Sequence, residues 1–398
     1  MKSTSMSSTR ASTDDDGFPH DLEKGDQGAG DRPTFSGKAV TSAEDDLGRK
    51  WMSHLDDTVP VSALSIPGTH DSAAFTHPWP FVATQRMSIL QQLDAGIRYF
   101  DLRCGVKDDV AEMVHGPYLL DLQLSEVLST MYAWLKTNPS EGLIVQIKED
   151  RKTERSTIHF SQAIFKCISA DSACWRTANS TPLLGELRGK IQLFRRYTGP
   201  SLYAYGIDVT QWQDNPSKPF TIFTRNSVQL TIQDHYNFSD PTSLPSLIAI
   251  KGGDVSGLLD RASRDINPDH WYLNFTSAFE FNLYYQLPPR EIAIGGYNFF
   301  RWEEGMNPRL REYLLEHEGI HRYGIVAMDF PDIGSEDLIS TLIKTNFEPQ
   351  EDLRRARTYF ILVLVLLAML MMAMLQPGLL GYATQILRSL QLPGISCS

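Results

Sequence analysis

The chain has 398 residues, 42% hydrophobic and 21% charged, enough for a large globular core and unlike a disordered or fibrous protein. With 37 Lys and Arg against 48 Asp and Glu, its net charge of −11 excludes a protein that coats nucleic acid or anionic lipid by bulk charge, so any anion must meet a local site. Four cysteines, Cys104, Cys167, Cys174 and Cys397, form no Cys-x-x-Cys pair and are too few for a disulfide framework, and no metal site or cofactor is expected.

Residues 1–47 are rich in Ser, Thr, Asp and Gly and poor in large apolar groups, which predicts a disordered acidic tail. The opening stretch lacks the apolar run of a secretory signal, so reduced thiols are expected. From 48 to 348 a single domain is predicted. Short apolar runs recur there with polar residues at their ends: Ala63 to Ile66, Arg98 to Leu102, Glu112 to Val114, Leu143 to Ile147, Lys190 to Phe194, Val228 to Ile232, Trp271 to Phe275 and Gly324 to Met328. Helical spacing separates most of them, as in Leu122, Leu124, Val127, Leu128, Met131 and Leu135, with Asp121 as the predicted N-cap. Such units predict an α/β fold, a parallel, TIM-like β/α barrel. Only Cys104 to Ala111 separates the second and third strands, too short for a crossover helix, and Lys107-Asp108-Asp109 reads as a turn, so the barrel is irregular there. The stretch 201–226 is loop-like.

Tyr359 to Leu375 carries no charge and is apolar on every face, which predicts a transmembrane helix over 358–376 rather than a buried core helix. Arg354, Arg355 and Arg357 precede it and only Arg388 follows, so the chain would be tail-anchored with its domain facing the cytosol and 377–398 as a short tail. Sequons begin at Asn179, Asn237 and Asn274, the last within an apolar run, and are weak evidence for a lumenal face.

In a parallel barrel, functional groups gather where strands end, at the C-terminal mouth. The residues closing the apolar runs are His70 and Asp71, Asp101 and Arg103, His115, Lys148, Arg195 and Arg196, Asp234, and Asp329. Asp101 and Arg103 are two apart on a strand, so they share a face, and a carboxylate beside a guanidinium orients it toward an anion. Two histidines can act as base and acid in an in-line displacement, each needing a carboxylate to fix its tautomer, for which Asp71 and Asp329 are available. Histidines with an arginine, and no dense carboxylate cluster, favour metal-free phosphoryl transfer over a two-metal hydrolase.

Ser65-Ile66-Pro67-Gly68-Thr69-His70-Asp71-Ser72, then Gln91 through Arg103, His115-Gly116, Arg188-Gly189-Lys190, Gln233-Asp234-His235-Tyr236 and Asn274-Phe275-Thr276-Ser277 together resemble the bacterial-type phosphatidylinositol-specific phospholipase C family and its X domain. The resemblance implies a distorted β/α barrel that cleaves an inositol phospholipid to diacylglycerol and a cyclic inositol phosphate, with the inositol 2-hydroxyl as nucleophile. It further implies His70 as base oriented by Asp329, His115 as acid paired with Asp71, and Arg103, supported by Asp101, on the phosphate. Lys148, Arg196, Asp234 and Tyr236 resemble the headgroup pocket. A monomer acting on membrane phospholipid, without nucleic acid, is expected.

Two rival readings stand beside it. A metal-dependent glycerophosphodiester or sphingolipid phosphodiesterase would need acidic ligands where the chain offers Arg103, and a catalytically silent lipid-binding module would keep only the barrel and the anchor. His77 and His235 read as surface or satisfied histidines, and Trp79, Phe81, Trp212 and Trp302 as packed aromatics.

Overall fold

The computed structural model describes residues 48–347 apart from 204, 225–227, 239–242, 282–285, 318 and 320, together with 364, 365, 367 and 368. The expectations for 1–47 and 377–398 lie outside the described residues. Ten strands build the main sheet: β1 (Ser65–Thr69), β2 (Tyr99–Lys107), β3 (Val110–His115), β4 (Tyr118–Gln123), β5 (Leu143–Glu149), β6 (Ile191–Arg196), β7 (Phe220–Phe223), β8 (Gln229–Gln233), β9 (His270–Phe275) and β10 (Gly324–Met328). Two-residue pairings at Trp175–Arg176 and Ile207–Asp208 extend the sheet beyond β6. The order β6-β5-β2-β1-β10-β9-β8 is parallel throughout, and β7 closes the far edge antiparallel to β8. These staves are apolar on both faces because helices cover the outside and side chains fill the inside, and β1, β9 and β10 are buried at every position.

All eight predicted strands form, but the third is not a stave. β3 pairs antiparallel with β2 and with β4, so the crossover from β2 to β5 begins as a meander. Its first turn has two central residues, Asp108 and Asp109, at φ 51° and 66°, the conformation of a tight hairpin whose twist matches its strands. Among the described residues no ladder joins β6 to β8, so the barrel is open on that side.

The helices are α1 (Ile89–Ala95), α2 (Leu124–Thr137), α3 (Phe160–Ser169), α4 (Leu184–Leu187), α5 (Leu244–Arg264), α6 (Pro289–Ile294), α7 (Met306–Glu316) and α8 (Leu338–Lys344). Asp121 does not cap α2; it lies within β4 at φ 49°. Gln123 stands at the N-cap, where its N–H donates to Glu126 Oε2 at 2.7 Å.

Two registers position the site. Thr69 pairs with Met328, which sets His70 beside Asp329, and with Phe100, which brings the turn after β1 against Asp101. Gly68 permits the second approach, since a Cβ there would lie 2.7 Å from Tyr99 Cδ1. At the opposite end of β2 the fully buried Arg98 donates to Glu141 Oε2 at 2.8 and 3.0 Å and lies over the Trp134 ring, a paired charge that fixes the barrel floor.

The C-terminal transmembrane helix is not supported. Among the described residues no helix is long and apolar enough to cross a membrane, and of 359–375 only 364, 365, 367 and 368 are described. Absence of charge gives a segment the composition of a span, yet a span needs a continuous helix of about 20 residues, which composition does not supply. The tail-anchored placement rested on that helix and falls with it.

Candidate active site

The polar residues that close β1, β2, β3 and β10 meet at the C-terminal mouth. The chain turns sharply after β1, with Asp71 at φ 44°, a left-handed conformation that a short polar side chain tolerates. That turn brings the Asp71 N–H to 3.3 Å from Asp101 Oδ2. Arg103 then links the two histidine motifs. Its Nη2 lies 2.7 Å from His70 Nε2, its Nη1 3.2 Å from Asp71 Oδ2, and its Nε and Nη2 each donate to Asp101 Oδ2 at 3.2 Å. Gln146 on β5 donates to the other oxygen of Asp101 at 2.7 Å, so this carboxylate is held on both sides.

These contacts determine where protons sit. A guanidinium only donates, so His70 Nε2 presents a lone pair and its proton is on Nδ1, which donates to Asp329 Oδ1 at 2.8 Å. Burial, then the positive Arg103, hold the imidazole well below the usual histidine range, so His70 is neutral at pH 7. Burial, then the nearby Asp71, push the Asp329 carboxyl well up. His115 differs. Its Nδ1 faces the Val82 carbonyl at 2.7 Å and carries a proton, while its Nε2 lies 3.3 Å from Asp71 Oδ2. Burial raises Asp71 to about 6 against the pull of Arg103 and His115, so this carboxyl, 3.3 Å from His115 Nε2, is readier to take up a proton than an ordinary aspartate. Burial lowers the Arg103 pKa, but Asp71 and Asp101 outweigh it and keep the guanidinium charged.

Toward the ends of β5, β6 and β8, Arg196 lies 3.7 Å over the Trp212 ring and 3.8 Å from Asp234 Oδ2, and Trp212 Nε1 donates to the same carboxylate at 2.8 Å. Tyr236 stacks on Phe279 and donates its hydroxyl to Asp214 at 2.7 Å. Arg195 turns instead to Asp208 and the Tyr197 carbonyl. Lys148 pairs with Asp150, whose second oxygen accepts the Gly116 N–H at 2.9 Å and so ties the chain after His115 to the end of β5.

All ten predicted site residues therefore carry polar or ring contacts at the mouth, in two clusters. Sequence reading missed Gln146, Asp150 and Trp212. Asp150 lies two residues beyond Lys148 and was findable by the same strand-end logic, whereas Trp212 comes from a loop with no periodicity to place it. Trp79 and Trp302 are each 48% exposed, with one ring neighbour apiece in Tyr118 and Tyr297, while Phe81 is partly buried and Trp212 packs, as expected, against Phe220 and Phe275. His77 accepts from the Trp79 N–H, and His235 pairs with Asp254 at 2.9 Å. Asn274 is buried, with its amide donating to Val255 O, which excludes glycosylation of the folded chain there.

An open parallel barrel carrying two histidines, each beside a carboxylate, and an arginine between them defines a class of phosphodiester-binding barrel. The family model for phosphatidylinositol-specific phospholipase C, X domain, matches residues 64–197. A 1-phosphatidylinositol phosphodiesterase of Listeria monocytogenes is 31% identical over 315 residues, 75% of this chain and 85% of the relative. Human PI-PLC X domain-containing protein 1 is 27% identical over 34% of this chain. Among solved structures, a Staphylococcus aureus phosphatidylinositol-specific phospholipase C superposes with TM-score 0.64 at 26% identity, over 76% of this chain and 99% of that one. The Listeria monocytogenes enzyme superposes with TM-score 0.54 at 29% identity, over 75% and 99%. The chain belongs to the phosphatidylinositol-specific phospholipase C family.

Proposed function

We propose that this protein is a phosphatidylinositol-specific phospholipase C that cleaves the glycerol side of the phosphodiester without a metal ion, releasing diacylglycerol and a cyclic inositol phosphate. The barrel would be formed by residues 48–348. One observation carries the reading: the Arg103 guanidinium lies between the neutral Nε2 of His70 and the Asp71 carboxylate that also faces His115 Nε2.

In this reading the phosphate takes the space between the imidazoles and displaces the Arg103 to His70 contact. His70 Nε2 removes the proton of the inositol 2-hydroxyl as that oxygen attacks phosphorus. The bond from phosphorus to the glycerol oxygen breaks, and the departing oxygen takes its proton from the His115 and Asp71 pair. Arg103 stabilises charge on a non-bridging oxygen, the electrostatic task a metal would otherwise perform. Lys148, Arg196 and Asp234 bind the inositol hydroxyls, and Tyr236 stacks on the ring. The names of the Listeria and Staphylococcus relatives support this substrate. Phosphatidylinositol in detergent micelles, treated with the protein and excess chelator, is expected to yield the cyclic phosphate at an unchanged rate. Loss of turnover in chelator, with return on adding metal, would reject the metal-free route.

The lipid surface is met by the rim of the mouth. Trp79 lies in the connection leaving β1, and the hairpin Gly295–Asn298 with Arg301–Glu304 lies in the connection leaving β9. Ile294, just before the hairpin, packs with Phe330 and Ala83 from the segments that follow β10 and β1. The hairpin tip then presents Phe299, 89% exposed, and Phe300, fully exposed. Two adjacent bare phenyl groups beside an active site match the apolar edge of a bilayer. Changing both to serine is expected to weaken sedimentation with phosphatidylcholine vesicles at least ~10-fold, since burying each ring contributes about 1.5–3 kcal/mol, while leaving cleavage of a short-chain soluble substrate unchanged. Equal loss on both substrates would refute the docking role.

A further inference from the structure

Lys251 sits in the middle of α5 and is fully buried. A buried ammonium is costly unless it is paired, yet among the described residues no carboxylate lies at ion-pair distance from it. Its contacts are two neutral oxygens. Nζ donates to Gln233 Oε1 at 3.0 Å and to the His235 carbonyl at 2.7 Å. Three residues along the same helix, Asp254 holds His235 Nδ1 at 2.9 Å. Gln233 is itself fixed, because its Oε1 accepts the His235 N–H at 2.9 Å and its Nε2 donates to Asn274 Oδ1 at 2.9 Å and to the Phe275 carbonyl at 2.8 Å.

The residue between the two that Lys251 grips is Asp234, the carboxylate that joins Arg196 and Trp212. We propose that Lys251 is a positioning residue for the inositol pocket: it clamps the chain on both sides of Asp234 and so sets the angle at which that carboxylate meets the headgroup. The proposal rests on the headgroup assignment of Asp234. An apolar residue of the same length would satisfy packing at lower cost, so the charge is retained for what it holds. Burial drives the Lys251 pKa down to about 8, and the carboxylates of Asp234, Asp254 and Asp329 resist that fall through space.

The test is a double-mutant cycle on phosphatidylinositol in detergent micelles, with Lys251→Met, Asp234→Asn and both changes together. Lys251→Met is expected to raise KM about 10-fold or more while kcat stays within threefold, and to add almost nothing to KM in the Asp234→Asn background. Full additivity, or a fall in kcat alone, would overturn the positioning role. If Asp234→Asn leaves KM unchanged, the headgroup assignment fails first, an outcome visible without any change at Lys251. Lys251→Gln keeps a donor toward the His235 carbonyl and runs the same cycle if the methionine variant does not fold. Loss of folded circular dichroism in both variants would assign Lys251 to stability and overturn the proposal.

Discussion

Replacing Arg103 with lysine is expected to lower kcat/KM for phosphatidylinositol by about 10²–10³, in the range that removal of one preorganised charge donor costs. The positive charge survives in this variant, so net charge does not cause the loss. Arg103 reaches Asp71, Asp101 and His70 at once because its five donors lie in one plane, whereas an ammonium on a flexible stem places one point charge. The phosphate would lose a fixed partner, held in place by Asp71 and Asp101. Arg103→Gln separates geometry from charge through the pH profile. The acid limb of kcat/KM reports His70, which burial and Arg103 hold well below 6.5. Removing the guanidinium's charge raises that value, so the acid limb moves to higher pH in Arg103→Gln and keeps its place in Arg103→Lys. Activity of the lysine variant within threefold of the parent would contradict the role of the fork.

His70→Ala and His115→Ala are each expected to reduce kcat by about 10²–10⁴, the usual worth of a positioned proton-transfer group. The two losses should respond differently to the leaving group. An inositol phosphate ester of nitrophenol expels an oxygen that needs no proton, so His115→Ala should recover most of its rate on that substrate. His70→Ala should not, because the attacking hydroxyl still needs its base. The His115 partner follows the same logic: Asp71→Asn removes the carboxylate 3.3 Å from His115 Nε2 and should resemble His115→Ala on both substrates. Equal recovery of the His70 and His115 variants would show that acid and base have been assigned wrongly. Reaction rates on the two substrates, measured alongside thermal unfolding to exclude misfolded protein, decide the matter.

Much of the barrel was legible because its staves are short apolar runs bounded by polar residues, and the strand-end rule then pointed to the residues of the mouth. His70, Arg103 and His115 each close or lie on an apolar run, so their convergence could be read from the period of the strands. The third run misled the count of staves. Glu112 to Val114 has a strand's composition, and the turn read at Lys107-Asp108-Asp109, which makes the barrel irregular there, returns it antiparallel to β2. Trp212 was illegible for another reason. Its place beneath Arg196 depends on an irregular loop seated by ring contacts with Phe220 and Phe275 and a hydrogen bond to Asp234 rather than on any local pattern. The C-terminal span is not supported, since among the described residues no helix is long and apolar enough to cross a membrane.

By itself, the sequence determined the strand sites, the polar residues that end them and hence the chemical inventory of the mouth, because alternation and turn chemistry are local properties of the chain. Tertiary structure alone decided which nitrogen of His70 faces Asp329 and which of His115 faces the Val82 carbonyl, that Arg103 touches His70, Asp71 and Asp101 at once, and that a buried lysine grips both sides of Asp234. Those facts depend on distances between residues up to 259 positions apart and on the exclusion of water around them, and neither is encoded in any short stretch of sequence.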